Sequence, residues 1–531
     1  MWASSPATAR ARHTGLLVLT MVVALAAATL GAGVTSPGKV ARPAAGAGSG
    51  KSLTVLINSN GFGEWPTLDP ATDTSAAADS FYLDAIYGNL FEQGAGGKVV
   101  PDLATAYNFS NGGKTFTITL RHGVTFTDGT PYDAAAVAYS MQRDLNPAFA
   151  CLCLPNFPVA SITTPTNDTV VLNLTRAYAP LQYAFTSESP NWTISPTSFQ
   201  RMGEKAFGLH PIGAGPFEVV SNEPNAKLVL KRNPNYWQKG HPKLQNLTFS
   251  TVGSDTSGYD ALLSGQGQVY AGYGTLSSIK SIKSQGRVTV TQTPSTLGPG
   301  VVQLNTSKPP FNNIVAREAV YYATNPQAIN KALNAGLGTT DEGMGVPGGL
   351  YYQPHVPGYR SYNLTKAKAL VKQLGGLSFS LVGLTGVLGE VNSALQSEWQ
   401  AAGMKVTLTA PETLVGVIDT FHANTWQAIL ESAGGFDPAL GVGLTFRYES
   451  DAPFTGVHDP VLDNMIHQAA TILNAKQATK AYETIWRYIS DKAYSPFLDV
   501  TPGYNLVVKG VSGPGLTAER WQVLWEDVTA K

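Results

Sequence analysis

KTFTITLRHGVTFTDGTPYDAAAVAY, residues 114–139, couples an alternating strand, a bulged turn and a capped helix in one short unit. Thr115, Thr117 and Thr119 alternate with Phe116, Ile118 and Leu120, the period of two that marks a strand with one buried face. Arg121 ends that strand on a polar note. Val124 and Phe126 begin a second alternation and Asp128-Gly129 turns the chain. Asp133 stands where a carboxylate can cap the first free amides of a helix over Ala134 to Tyr139.

Working outward, 531 residues are enough for roughly two to four domains and a large core. Charged residues make up 14% of the chain and sum to a formal net charge of zero. No basic field exists to hold a phosphate backbone, so nucleic acid is not an expected partner. The abundance of Gly (54) and Pro (34) fits a loop-rich exported protein better than a helical cytosolic enzyme. Arg10, Arg12 and His13 precede the uncharged run GLLVLTMVVALAAATLGAGV, residues 15–34, which reads as an export signal with small residues for cleavage near Gly31 to Gly33. The run also matches the ~20 residues that span a bilayer, so an uncleaved anchor is an equal expectation. No Cys follows it to carry a lipid. Residues 35–52 read as a flexible linker. Its end, Gly46 to Ser52, resembles the close of a phosphate loop, but Ala45 replaces the first Gly and the segment opens a strand, Leu53 to Ile57, where a phosphate loop would open a helix. No cofactor is expected.

Cys151 and Cys153 are the only cysteines. A bridge across one residue is strained, and two sulfurs without clustered His under-coordinate zinc. The expectation is two small residues packed in a loop before Pro155, with a redox pair as the alternative and no metal site. Elsewhere the patterns predict a helix over Ala76 to Phe91 and strands over Val170 to Leu174, Phe217 to Ser221, Lys227 to Lys231, Leu247 to Val252 and Val288 to Gln292, with a short helix at Thr256 to Leu263. After Asn305 helices dominate: Asn312 to Ala335, Leu364 to Leu374, Gly389 to Ala402, Pro460 to Leu473 and Ala475 to Ser490. The mix is α/β with more than one sheet.

The unit at 114–139 resembles a signature of the family 5 solute-binding proteins of ABC importers, the family of oligopeptide- and dipeptide-binding proteins. Further blocks follow in the family's order: Leu68-Asp69-Pro70, Pro211 to Phe217, Arg232-Asn233-Pro234-Asn235-Tyr236-Trp237, Asn305 with Pro309-Pro310-Phe311, Arg317 to Ala323, Tyr362 to Leu370 and Gly403 to Val406. Asn325-Pro326 stands where the family usually has Asp-Arg. The resemblance implies a two-lobe periplasmic-binding-protein fold (type II, Venus-flytrap) with an inserted subdomain. Lobe I would combine 53–95, 207–299 and 500–531, the insert would be 96–206, and lobe II 300–499. Most of these blocks read as scaffold. Gly213 and Gly215 mark tight backbone turns, and Tyr236 and Trp237 mark aromatics over an adjacent strand.

By the same resemblance the ligand lies between the lobes. Glu64 and Trp65 match a loop that runs beside the bound peptide in oligopeptide-binding proteins. On the second lobe, Phe436 and Asp437 lie in the block Ala433 to Pro438 that follows an apolar strand, Ala428 to Glu431. Gly434 occupies the position of the family's Asp that pairs with a peptide amino terminus. Asp437 either substitutes for it or caps the next segment. Trp426, Arg447 and Tyr448 are further cleft candidates. No Gly-x-Ser-x-Gly or His-Glu-x-x-His is present, and a helix from Pro460 puts His458 and His467 more than two turns apart. The implied protein is a monomeric, non-enzymatic, extracytoplasmic component of an importer. It would carry a peptide or peptide-like solute to membrane permease subunits and sit in the periplasm or at the cell surface. The alternatives are a binder of a sugar or metal chelate, a receptor module on the same fold, and a secreted hydrolase or cell-wall-active enzyme.

Overall fold

The computed structural model describes residues 51–58, 65–72, 76–94, 97–149, 153–294, 298–383, 387–409, 420–421, 423–432, 444–452, 455–516 and 522–531, all within the compact unit Gly48–Lys531. The apolar run 15–34, the linker up to residue 50, Cys151, Glu64, Gly434, Phe436 and Asp437 lie outside the described residues.

Among the described residues, and numbering strands in chain order, a seven-stranded sheet runs in spatial order β12 (Thr289–Thr293), β19 (Gly503–Val507), β11 (Val269–Tyr273), β1 (Ser52–Asn58), β10 (Asn246–Val252), β9 (Lys227–Arg232) and β8 (Phe217–Glu223). β1 sits near the centre, parallel to both β10 and β11. It is accordingly apolar on both faces: Leu53, Val55 and Ile57 enter one core and Leu56 another. A second sheet runs β14 (Thr339–Thr340), β18 (Phe497–Val500), β13 (Pro299–Leu304), β17 (Ala428–Ser432), β15 (Ser378–Val382) and β16 (Lys405–Thr409). It too is covered on both faces, with Val302 and Leu304 in one core and Val301 in the other. Two ribbons, β2 (Phe91–Gln93) with β3 (Val99–Pro101) and β20 (Val511–Ser512) with β21 (Thr529–Ala530), complete the set with a four-stranded sheet of β4 (Ala104–Ser110), β5 (Thr115–Leu120), β7 (Thr169–Leu174) and β6 (Val159–Thr166).

The stretch 114–139 builds that four-stranded sheet and its covering helix. Phe116, Ile118 and Leu120 are buried in its core while Thr115, Thr117 and Thr119 are half-buried. Asp133 caps the helix Ala134–Asp144 by accepting from the Ala136 amide at 3.0 Å. The turn is held by Asp128, which accepts from the Thr130 amide at 2.9 Å and from the Ser195 and Ser198 hydroxyls at 2.6 Å each. Burial raises the Asp128 pKa, but these donors outweigh it and leave the carboxyl below its ordinary value.

Some sequence expectations change. The helix from Ala76 stops at Tyr87, because Gly88 turns to φ +66° and leads into β2. The span 312–335 is two helices, Ile314–Ala323 and Pro326–Leu333. Pro326 disfavours helical backbone at Asn325, whose side chain instead caps the second helix by accepting from Ala328. The helix from Pro460 ends at Ala469. The second half is less helical than expected, since the short apolar runs of β13, β15, β16 and β18 form its central sheet with β17. Cys153 is disulfide-bonded, not a free packed thiol. Gly213 and Gly215 carry no positive φ; a Cβ at either would meet the backbone of Ile86 at 2.2 and 2.6 Å. Their requirement is close approach of two chains.

Asp69 and Arg143 lock the insert to the first sheet. The Arg143 guanidinium donates to both Asp69 oxygens at 2.6 and 2.5 Å with both side chains buried, the two-pronged geometry that makes Arg–carboxylate pairs strong. Trp237 carries the Arg121 guanidinium 3.7 Å over its ring, and Arg232 donates to the Lys243 and Leu244 carbonyls. These motif residues hold scaffold together.

Candidate functional site

The chain passes between the two large sheets after β12 and again between β18 and β19. The ladders show what gathers at those crossings. In the first sheet Thr293 pairs with Gly503 and Tyr273 with Tyr504, so the carboxyl ends of β11 and of its parallel neighbour β1 face the crossings. In the second, Pro299 pairs with Val500 and Gly300 with Ser432, so the carboxyl ends of β17 and the parallel β15 and β16 face them as well. Carboxyl ends of parallel strands are where open α/β sheets hold ligands. Here two such edges meet.

The first edge is organised by Asp255. Its carboxylate accepts from Asn58 Nδ2 at 3.2 Å, Tyr270 Oη at 2.5 Å, the Gly274 amide at 2.9 Å and Thr275 Oγ1 at 2.7 Å. One side chain thus ties the ends of β1 and β11 to the helix Asp255–Leu263. Burial, reinforced by the facing Asp255, pushes the Tyr270 phenol far up and keeps it a donor. The second edge carries an ion pair between buried Arg447 and half-buried Glu431, with Arg447 also donating to the Ser432 carbonyl. Gln303 Nε2 donates to the Arg447 carbonyl at 2.8 Å, which seats the helix Leu444–Tyr448 on the sheet. Burial lowers the Arg447 pKa to about 10, with Tyr448 opposing, so the guanidinium stays charged at neutral pH.

The described candidates divide by position. Arg447 lies at the crossing end of β17. Trp426 lies at the other end, beside Asn305 and packed on Phe421, Val382 and Ile429. Tyr448 is fully buried in the core beneath the second sheet. Trp65 is fully buried against Tyr82, ring centroids 4.6 Å apart, and its indole donates to Asn222 Oδ1 at 2.9 Å. Glu64, Phe436 and Asp437 lie outside the described residues. Sequence reasoning passed over Asp255 and Glu431. Asp255 follows a Ser-rich turn and reads as an ordinary helix start, while Glu431 closes an apolar run; the four donors on one and the Arg447 partner of the other come from elsewhere in the chain.

This architecture, two mixed sheets joined by paired crossings with their strand ends turned to each other, is that of a bilobal binding protein. The family model of bacterial extracellular solute-binding proteins, family 5 middle region, matches residues 98–452, well over half of the chain, and the chain belongs to that family. The glutathione-binding protein GsiB of Salmonella paratyphi A is 31% identical over 337 residues, which cover 61% of this chain and 62% of that protein. GsiB of Shigella dysenteriae serotype 1 is 30% identical over 380 residues, covering 69% and 67%. The chain thus spans under two thirds of the Salmonella relative. Among solved structures, AgaA of A. tumefaciens R10 in complex with agropinic acid superposes with a TM-score of 0.74 at 23% identity, covering 90% of this chain and 99% of that one. DppA of Helicobacter pylori in complex with the peptide STSA gives 0.73 at 19%, covering 90% and 98%. These likenesses show a shared fold.

Proposed function

We propose that the protein captures a peptide or peptide-like solute outside the cytoplasm and delivers it to the permease subunits of an ABC importer, acting as a monomer and without catalysis. The observation that carries this reading is the meeting of two sheet edges at a pair of crossings. A solute held between them touches both halves and so favours the closed over the open arrangement. The first lobe is then 53–95, 207–299 and 500–531 with 96–206 inserted, and the second 300–499. Glu64, Phe436 and Asp437 are the proposed solute contacts, with Arg447 at the crossing end of β17, and Trp65, Trp426 and Tyr448 support from the cores. Relatives whose names specify glutathione and a structural neighbour holding a peptide support the peptide class. Gly434, in place of an amine-pairing carboxylate, favours a second reading in which the cargo lacks a free amino terminus, as with the agropinic acid held by AgaA.

A thermal-shift panel of glutathione, di- to pentapeptides, agropinic acid and nickel–histidine tests both readings. A ligand at 100 times its Kd stabilises the folded form by about 2.7 kcal/mol, well within detection. The peptide reading expects a peptide to raise the melting temperature, and a response confined to the non-peptides selects the second. Turnover of a cell-wall polymer by the purified protein would overturn the binding-only assignment. Among the described residues no helix is long and apolar enough to cross a membrane; export rests on the residues 15–34.

A further inference from the structure

The insert does more than decorate the first sheet. Its segment Arg176 to Ala179 crosses to the half of the molecule built on the second sheet. There the Ala179 amide donates to the Ala470 carbonyl at 2.7 Å. Ala470 is the C-cap residue of the helix Pro460–Ala469, and the two neighbouring alanines at this helix end serve different cores. Ala469 packs into the core beneath the second sheet, whereas Ala470, 3% exposed, packs into the core of the insert with Tyr178 and Leu181. One residue of one half thus completes the core of the other.

Charge follows the same line. Glu449, buried on the second half, interacts with Arg176 of the insert and lies 3.5 Å from His467, with Asp451 and Asp463 opposing. The Ala179–Ala470 contact is separate from the crossings, where Lys280 reaches the Ala335 carbonyl at 3.2 Å and Leu337 packs on the helices of the first half. Two halves that turn about a pair of crossings cannot separate without withdrawing Ala470 from the insert and breaking its hydrogen bond with Ala179.

We propose that the Ala179–Ala470 contact is a latch by which the insert holds the two halves shut. The insert is thereby a moving wall of the cleft, and the latch adds to closure a favourable term that no solute supplies. It rests on the hinged reading of the fold but not on the identity of any cargo, so its test uses the protein alone.

The double variant Ala179→Cys with Ala470→Cys, oxidised mildly without ligand, is expected to form a 179–470 disulfide, identified by peptide-mapping mass spectrometry. An irreversible trap registers the closed form even where it is a minor population. The single variant Ala470→Arg, whose side chain cannot enter the insert core, is expected to release the latch while leaving both sheets intact by circular dichroism. Small-angle scattering should then give a smaller radius of gyration for the cross-linked protein than for Ala470→Arg. Failure of the cross-link to form, or equal radii for the two proteins, overturns the proposal. Neither outcome bears on whether peptides bind, which the thermal-shift panel reads separately.

Discussion

Asp69 shows what a residue in a motif can be for. Leu68-Asp69-Pro70 is legible as a block, but its partner Arg143 lies 74 positions away in the helix that the stretch 114–139 begins. Sequence spacing carries no sign of the pair. Removing one member of a buried ion pair strands the other, at a cost of about 3–5 kcal/mol. Asp69→Ala should lower the unfolding free energy by that amount in denaturant titration, and a change near zero would remove the lock from the account. Gly215 was legible as special but for the wrong reason. Its constraint is a Cβ 2.6 Å from the Gly88 amide and Ile86 backbone, so Gly215→Ala should cost about 1–3 kcal/mol by overpacking. A turn-type constraint would have tolerated alanine no better, but it would have spared the helix end at Tyr87. Amide exchange at Gly88 therefore separates the two, with faster exchange expected. Trp65 is the converse case. Its type and place suggested a face for a ligand, while its indole is satisfied by Asn222 and its ring by Tyr82.

Elements were read best where periodicity was long and caps were local. The helix at 134–144 and strand β5 needed only their own residues. Of the second sheet only β17 was read as a strand; the others were missed because five-residue apolar runs such as Ser378–Val382 fit a buried strand or a helix segment equally, and only their neighbours decide. The junction of the helix Ala76–Tyr87, the β2–β3 ribbon and the C-terminal segment adds a property no pattern could show. Asp84, Glu92, Asp102 and Glu526 interact there; Asp84 accepts from Trp192 Nε1 at 2.9 Å and Gln522 Nε2 at 2.7 Å. Burial, and then the neighbouring carboxylates, raise Asp84 to about 7 and Asp102 to about 8. The folded chain therefore keeps protons that the unfolded chain has already released above its ordinary carboxyl range, near pH 4. Stability contributed at this junction is present at low pH and is lost as pH rises through 7 to 8. The melting temperature should fall between about pH 5 and 8 and level off above that, and Asp102→Asn should flatten that slope. An unchanged slope in the variant would place the titration elsewhere.

At the scale of the whole molecule, the ordered blocks made the family legible, and the family made the two-lobe plan legible. The candidate site was less so. Its first edge is fixed by Asp255, which gathers donors from β1, β11 and the loop after β11, and its second by Arg447 and Glu431 across 16 positions. Such sites are assembled by topology from residues that are ordinary where they stand in the chain. The proposed solute contacts Glu64, Phe436 and Asp437 lie in the sequence that follows β1 and β17, while the scaffold blocks identify the family.

The central claim is that solute closes the two halves on each other. It is tested most directly by small-angle scattering with and without the peptide or related solute that most raises the melting temperature. The account predicts a smaller radius of gyration at saturation. A saturating ligand that leaves the radius unchanged both in the wild-type protein and in the unlatched Ala470→Arg variant would contradict it.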